Sequence, residues 1–193
     1  PFDKLRAYGI KSSSELHALN RQRRKAHQAA RGHCRLPVHH RRLIIRVRHH
    51  REEGSRIRVS RDKGRVRAHG QKGAFVSRWM IDVESLQVVQ GADLVQSKIA
   101  LDATLPFHKL CSADLAPTSA FFDDYSGKGF YGQLFLNGEE DKGGGRAFAH
   151  GLDGVSYELK DFGQLAWENL LIHPHANPNT LVMALDDIQQ GLL

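Results

Sequence analysis

Residues 131–160, which read YGQLFLNGEEDKGGGRAFAHGLDGVSYELK, decide the fold of this chain. Three short apolar runs in this stretch predict β-strands. They lie at 131–140, 146–151 and 155–160. The segment DKGGG at 141–145 predicts a loop, because glycine adopts backbone conformations that other residues resist. A turn around Asp153 and Gly154 joins the last two runs, so we expect those two strands to form an antiparallel hairpin.

The flanking sequence continues the same pattern. AFVSRWMID at 74–82 and LQVVQG at 86–91 are joined by a polar turn and predict a second hairpin. TLVMALDD at 180–187 predicts an apolar strand that ends in acidic residues. Residues 165–173 predict a short helix, which Pro174 would stop because proline cannot continue a helix. Repeated short strands with turns between them predict an all-β protein, either a sandwich or a β-propeller with antiparallel blades.

Charge divides the chain into two unlike parts. Residues 1–68 contain 20 Lys and Arg against 5 Asp and Glu, a net charge of +15, whereas residues 69–193 contain 8 against 16, a net charge of −8. The overall net charge of +7 therefore describes neither part. We divide the chain into a start at 1–11, an Arg- and His-rich segment at 12–64, and a β-rich part at 65–193.

Three interpretations of the Arg- and His-rich segment stay open. Its composition, with no acidic residue from Arg21 to Arg51, is what a GC-rich gene gives when it is translated in the wrong frame. The second interpretation is a disordered basic arm. The third is binding of nucleic acid or another polyanion through counterion release. No specific nucleic-acid partner is predicted, because the segment lacks aromatic residues, zinc-ligand spacing and any helical pattern beyond a weak stripe at 14–30.

The chain has no stretch long and apolar enough to span a membrane, and no signal peptide, so we predict no membrane span. It is expected to be a fragment of a larger protein. Of its two cysteines, Cys34 lies in the basic segment, which leaves Cys111 as a predicted buried structural thiol. His108 is three residues from Cys111 and should point to the opposite face of an extended strand.

Acidic residues stand at the predicted strand ends. They are Glu139, Glu140, Glu168, Asp186 and Asp187. Hard cations such as Ca²⁺ take several oxygen ligands, and strand ends that meet at one mouth are a natural place to gather carboxylates. Adjacent acids on a regular strand face opposite ways, so Glu139 and Glu140 can share a site only where the strand has ended. The alternative is that these carboxylates are simply solvated beside turns.

Four stretches, taken in order, resemble the bacterial PhoX-type alkaline phosphatase family, in particular a divergent branch of it. They are VRAHGQKGAFVSRWMID (66–82), HKLCSADLAPTSAFFDDYSGKGFYGQLFLNGEE (108–140), GRAFAHGLDGVSYELKDFGQLAWENLLIHP (145–174) and LVMALDD (181–187). The resemblance covers residues 65–187 and extends to the first ten residues.

The resemblance implies a β-propeller whose central mouth holds calcium and iron ions and hydrolyses phosphate monoesters, in a periplasmic or extracellular parent protein. Glu139 and Glu140 would match the family's Cys-Glu-Glu segment as metal ligands. Glu168 would match the Glu of its Arg-His-Glu segment. Asp186 and Asp187 would match its Asp-Asp pair at the end of a strand. The metals would neutralise charge and orient the phosphate.

The chain departs from the family's pattern at two places. Gly138 stands where the iron-binding Cys is expected, so the iron site is in doubt and Ca²⁺ is the expected cofactor. Ala166 and Trp167 stand where an Arg-His pair is expected, so a phosphate clamp is missing. Arg146 would supply a guanidinium instead, which makes Glu168 and Arg146 the candidate catalytic residues.

We therefore expect a fragment of a PhoX-like metal-dependent phosphatase whose parent protein takes a phosphate ester as substrate. This chain alone is expected to be inactive, because an incomplete propeller leaves sheet edges exposed. One alternative is a non-catalytic, calcium-binding propeller that acts as an interaction module. The other is polyanion binding through the basic segment. His69 and His150 are predicted to be structural histidines.

Overall fold

The computed structural model describes residues 64–175 and 179–188, the backbone of Arg41–Arg48, and the single residue Arg21. The all-β class is confirmed. The described part contains twelve strands, with 3₁₀ turns at Thr118–Ala120 and Lys160–Phe162. The strands are β1 (Arg41–Arg48), β2 (Phe75–Asp82), β3 (Val88–Asp93), β4 (Ser97–Ile99), β5 (Leu110–Leu115), β6 (Phe122–Asp123), β7 (Lys128–Gly129), β8 (Leu134–Gly145), β9 (Ala147–Gly151), β10 (Val155–Glu158), β11 (Leu165–Ile172) and β12 (Val182–Asp186).

Strands β1, β2 and β3 form an antiparallel three-stranded sheet with β2 in the middle. The predicted hairpin of 74–91 is confirmed as β2 and β3. Its turn is held by Asp82, whose Oδ1 accepts hydrogen bonds from the backbone N–H of Ser85 at 2.9 Å and of Glu84 at 3.2 Å. Strand β1 is the one strand described within the Arg- and His-rich segment. The start at 1–11, the stripe at 14–30 apart from Arg21, and Cys34 lie outside the described residues.

A second sheet has the strand order β12-β11-β8-β9-β10-β4, and β5 also pairs with β8. The predicted hairpin around Asp153 and Gly154 is confirmed as β9 and β10. The predicted loop at 141–145 is wrong, because these residues continue β8, where Gly145 pairs with β11. Glycine is still required there, since Gly144 has a φ of +104°.

The predicted helix at 165–173 is also wrong, because Leu165–Ile172 forms strand β11. This strand lies between β8 and β12, so its backbone is paired on both edges. Ala166, Trp167 and Leu170 are buried along it. Backbone pairing and burial in the sheet override a local pattern that is compatible with a short helix.

Strands β8 and β9 are covered on both faces. One core contains Leu136, Ala149 and Trp167, and the other contains Phe107 and Phe148. Successive residues of a strand point to opposite faces, so β9 contributes Ala149 to one core and Phe148 to the other. This explains why the AFAHG run is buried at every position.

The sheets are open in the part of the chain that the structure describes. The predicted closure of the strands into propeller blades is therefore not confirmed. Within the same residues, no helix is long and apolar enough to cross a membrane.

Candidate metal centre

The pleat of β8 sends the adjacent residues Glu139 and Glu140 to different surroundings. The Glu139 side chain is 1% exposed and meets Arg146 in a two-pronged ion pair, with Nη2 2.7 Å from Oε1 and Nε 2.9 Å from Oε2. The backbone N–H of His108 adds a hydrogen bond of 2.7 Å to Oε1. Both carboxylate oxygens of Glu139 therefore accept hydrogen bonds from protein donors.

The guanidinium of Arg146 also forms several hydrogen bonds. Its Nη2 also donates to the carbonyl of Pro106 at 2.8 Å, and its side chain is 12% exposed. Burial acts to lower the pKa of Arg146, but the hydrogen bonds and charge of Glu139 outweigh burial, so this pKa is raised. The structure thus places Glu139 and Arg146, both predicted site residues, together in a buried ion pair.

Three other side chains could hold a metal ion. One ligand atom each from Cys111, Glu140 and Glu168 lie within 4.8 Å of one another, and all three residues are half-buried. They come from three neighbouring strands, since β5 and β11 both pair with β8. The structure therefore brings together two of the predicted metal ligands and adds a thiol.

Irregular strand pairing occurs at two of these three residues and affects the direction of their side chains. The register of β5 on β8 shifts between Leu110 and Ala113, an interval that contains Cys111. The register of β11 on β12 shifts between Trp167 and Asn169, an interval that contains Glu168. Such β-bulges re-aim side chains and are frequent beside functional sites.

Hydrogen bonds already connect the three groups. The Cys111 Sγ lies 3.5 Å from Glu168 Oε2, a distance at which the thiol donates to the carboxylate. Glu140 forms an ion pair with Lys109. Burial acts to raise the pKa of Glu140, but hydrogen bonds with Lys109, Cys111 and Asp187, together with the charge of Lys109, outweigh it and lower this pKa. The carboxylate is therefore kept in the charged form that a metal needs.

Lys109 is held beside this group by its ion pair with Glu140. Burial acts to lower its pKa, but the hydrogen bond and charge of Glu140 and the charges of Cys111 and Glu168 outweigh burial, so the pKa of Lys109 is raised. Its side chain remains 39% exposed. An ammonium group thus lies beside the potential ligands and remains accessible to solvent.

The two predicted aspartates differ in position. Asp187 adjoins the group, since it is one of the residues that lower the pKa of Glu140. Asp186 is not one of the three clustered ligands, and its Oδ1 accepts the backbone N–H of Ala166 at 2.9 Å, which holds β12 to β11.

The two histidines singled out in the sequence lie in the apolar interior. Both His69 and His150 make edge contacts with the ring of Phe107. Burial, with a smaller contribution from the charge of His69, lowers the pKa of His150 to about 3, so its ring is neutral. Neither histidine belongs to the group that could bind a metal in the described residues.

The sequence did not indicate Cys111 or Lys109 as members of the site. Cys111 was predicted to be buried, but it is half-buried and faces Glu168. His108 faces Asp141, with its Nδ1 2.9 Å from the carboxylate. The one available signal is that Lys109 and Cys111 are two residues apart, a spacing that places side chains on one face of a regular strand.

The donor set decides which cations suit the site. A thiolate with two carboxylates fits a borderline divalent cation such as Zn²⁺ or Fe²⁺ and leaves at least one coordination position open. Calcium takes only oxygen ligands, which Glu140, Glu168 and Asp187 would have to provide. No protein family, curated protein or solved structure matches this chain. A functional proposal for this chain therefore rests on the chemistry of these side chains.

Proposed function

We propose that this chain binds a divalent metal cation through Cys111, Glu140 and Glu168, and that its parent protein hydrolyses phosphate monoesters at that metal. The observation that supports the proposal is the convergence of the three ligand atoms within 4.8 Å. The order of the PhoX-like motifs is the reason to expect a phosphate ester as substrate, with the described strands as part of a β-propeller and the parent protein in the periplasm or outside the cell.

Iron becomes a better candidate than the sequence indicated. Gly138 removes the thiolate that the family's pattern places in β8, but Cys111 of β5 presents a thiol to the same group of carboxylates. Thiolate ligands favour iron or zinc over calcium.

The residues at such a site would have different roles. A bound divalent cation would polarise a phosphate oxygen or activate a water molecule. In the metal-free protein Glu168 accepts a hydrogen bond from the Cys111 thiol, and that proton would leave when a cation binds the sulfur as a thiolate. Lys109, which is partly exposed, can contact a phosphate oxygen beside the carboxylates. Arg146 is bound by Glu139 and does not contribute a phosphate clamp in this arrangement.

Metal binding tests the first part of the proposal. We expect the chain to retain one equivalent of Zn²⁺ or Fe²⁺ after anaerobic dialysis, measured by mass spectrometry of the metal. Cys111→Ser and Glu168→Gln each remove a ligand and should weaken the metal affinity by at least about 10-fold. Changing a residue that only hydrogen-bonds to a ligand already costs about 10- to 100-fold, so loss of a ligand itself should cost no less. Asp161→Asn, an exposed carboxylate in a 3₁₀ turn, is the matched control.

The outcomes separate the possible cations. Unchanged Zn²⁺ binding by Cys111→Ser would contradict the assignment of the thiolate. Calcium binding that survives Cys111→Ser but is lost in Glu168→Gln would favour the non-catalytic calcium-binding alternative. Hydrolysis of p-nitrophenyl phosphate by the full-length parent protein, lost in Glu168→Gln, tests the catalytic part, because this chain alone is expected to be inactive.

Lys109 should compete with the metal. Its ammonium group neutralises Glu140 in the metal-free protein, so a cation must displace it to use that carboxylate. We expect Lys109→Gln to bind Zn²⁺ about 1.4- to 5-fold more tightly, because a partly exposed ion pair contributes about 0.2–1 kcal/mol. Competition with a coloured zinc chelator measures the change, and Lys160→Gln, an exposed lysine, is the control. Weaker binding by Lys109→Gln would show that Lys109 supports the ligands instead.

A further inference from the structure

A second group of polar side chains lies inside the protein, apart from the candidate metal centre. Asn137 of β8 and His150 of β9 are 0% exposed, and Ser156 of β10 is 1% exposed. All three belong to the sheet β8-β9-β10, and the rings of Phe135, Phe107 and Phe148 surround His150. Polar groups in such apolar surroundings need hydrogen-bond partners to offset their desolvation.

One hydrogen bond within the group is present. His150 Nε2 lies 2.9 Å from Asn137 Oδ1. Three further polar atoms are buried without a protein partner among the described residues: His150 Nδ1, Asn137 Nδ2 and Ser156 Oγ. Buried side-chain polar atoms without any partner are rare in native proteins, so each of these three requires an explanation.

The strand register brings two of these atoms to the same place. Ser156 stands directly opposite His150 in the antiparallel pairing of β9 and β10. Side chains of directly opposite residues project from the same face, with Cβ atoms about 4.5–5.5 Å apart. The hydroxyl and the imidazole nitrogen are therefore neighbours that make no direct hydrogen bond.

We propose that a buried water molecule bridges Ser156 Oγ and His150 Nδ1. An internal water typically makes two to four hydrogen bonds to polar groups that the protein leaves unpaired.

The chemistry of the two atoms selects water over an ion. Because His150 Nε2–H donates to Asn137 Oδ1, Nδ1 of the neutral ring carries no proton and only accepts, whereas the Ser156 hydroxyl can donate or accept. A water molecule can donate to Nδ1 and also form a hydrogen bond with the hydroxyl. Glu139, the one buried carboxylate among the described residues, is already bound by Arg146. Neither a cation nor an anion would find a free opposite charge among these three side chains.

The Ser156→Ala variant gives opposite results in the two cases. A bridging water loses one of its partners, so we expect the midpoint of thermal unfolding to fall by about 2–4 °C, the shift of a typical hydrogen bond in a protein of this size. An unpartnered hydroxyl would instead be relieved by alanine, and the midpoint would rise. Ser97→Ala, an exposed serine in β4, controls for the change of residue type and should shift the midpoint by less than about 1 °C.

Nuclear Overhauser effects between water and protein protons decide the proposal directly. We expect a cross-peak from a long-lived water to the Hε1 proton of His150, which neighbours Nδ1, in the wild-type chain, and its loss in Ser156→Ala. Absence of this cross-peak in the wild-type chain overturns the proposal whatever the midpoint does. A cross-peak that persists unchanged in Ser156→Ala overturns the bridging role of the hydroxyl.

Discussion

Replacing Glu139 by Gln should lower the free energy of unfolding by about 3–5 kcal/mol, the usual cost of removing one partner from a buried ion pair. The substitution leaves the guanidinium of Arg146, 12% exposed, without an opposing charge. It also weakens the hydrogen bonds of both oxygens of residue 139 with Arg146 and His108. Urea denaturation followed by tryptophan fluorescence measures the loss.

The neighbouring residue provides the matched control. Glu140→Gln removes the same charge one position along β8, but its ion pair with Lys109 is partly exposed. Such pairs contribute about 0–1 kcal/mol, so this control should lose at most about 1 kcal/mol. Equal losses in the two variants would contradict the structural role of Glu139. The double variant Glu139→Gln with Arg146→Met should recover part of the loss, because it removes the buried charge that the single variant leaves behind.

Replacing Gly138 by Ala should cost about 3 kcal/mol or more, because overpacking a well-packed core typically costs about 1–3 kcal/mol and this contact is severe. A Cβ atom at position 138 would lie within 3.0 Å of Cβ, Cγ and Cδ1 of Trp167. The indole cannot easily move aside, because it is 2% exposed and its Nε1–H donates to the carbonyl of Gly145 at 2.9 Å. The midpoint of urea denaturation measures the effect.

Gly143→Ala is the control for this second prediction. Its Cβ atom would meet only the Asp141 carboxylate oxygen, at 3.4 Å, so the stability should change by no more than about 0.5 kcal/mol. The loss of unfolding free energy caused by Gly138→Ala should also be smaller in a Trp167→Leu background, because the effects of substitutions at residues in contact are not additive. Additive losses would show that the indole is not what excludes a side chain at position 138.

The structure places Gly138 and Trp167 directly against each other, so a large apolar ring fills the space next to a residue without a side chain. If the proposed PhoX-like relationship holds, Gly138 and Trp167 together replace a Cys and a His, and the two differences are then a single change in packing.

The hairpins were predictable because local signals agree with the final pairing. Asp153 and Gly154 favour a turn, and the runs on either side alternate in the way a strand requires. Strand β11 was not predictable in this way, because AWENLLI is a short apolar run that periodicity alone cannot assign to a strand or a helix. Its pairing with both β8 and β12 decides the matter, and the local pattern of the run does not record which strands flank it.

The candidate site was predictable only in part. Acidic residues at strand ends pointed to Glu140 and Glu168, which the structure brings together. Cys111 is 57 residues from Glu168, and the two meet through register shifts in β5 and β11. Such shifts depend on how strands from different parts of the chain pair. Neither composition nor spacing records them.

The dipeptide formed by Glu139 and Glu140 has a consequence for how such a protein can evolve. One glutamate, with Arg146, belongs to the interior, and the other belongs to an accessible group of ligands. The two glutamates are adjacent in sequence, but the pleat of the strand points their side chains to different surroundings. A substitution at position 140 can therefore change the half-buried group, and a variant of this chain could lose the potential ligand there and still keep the buried ion pair of Glu139 with Arg146.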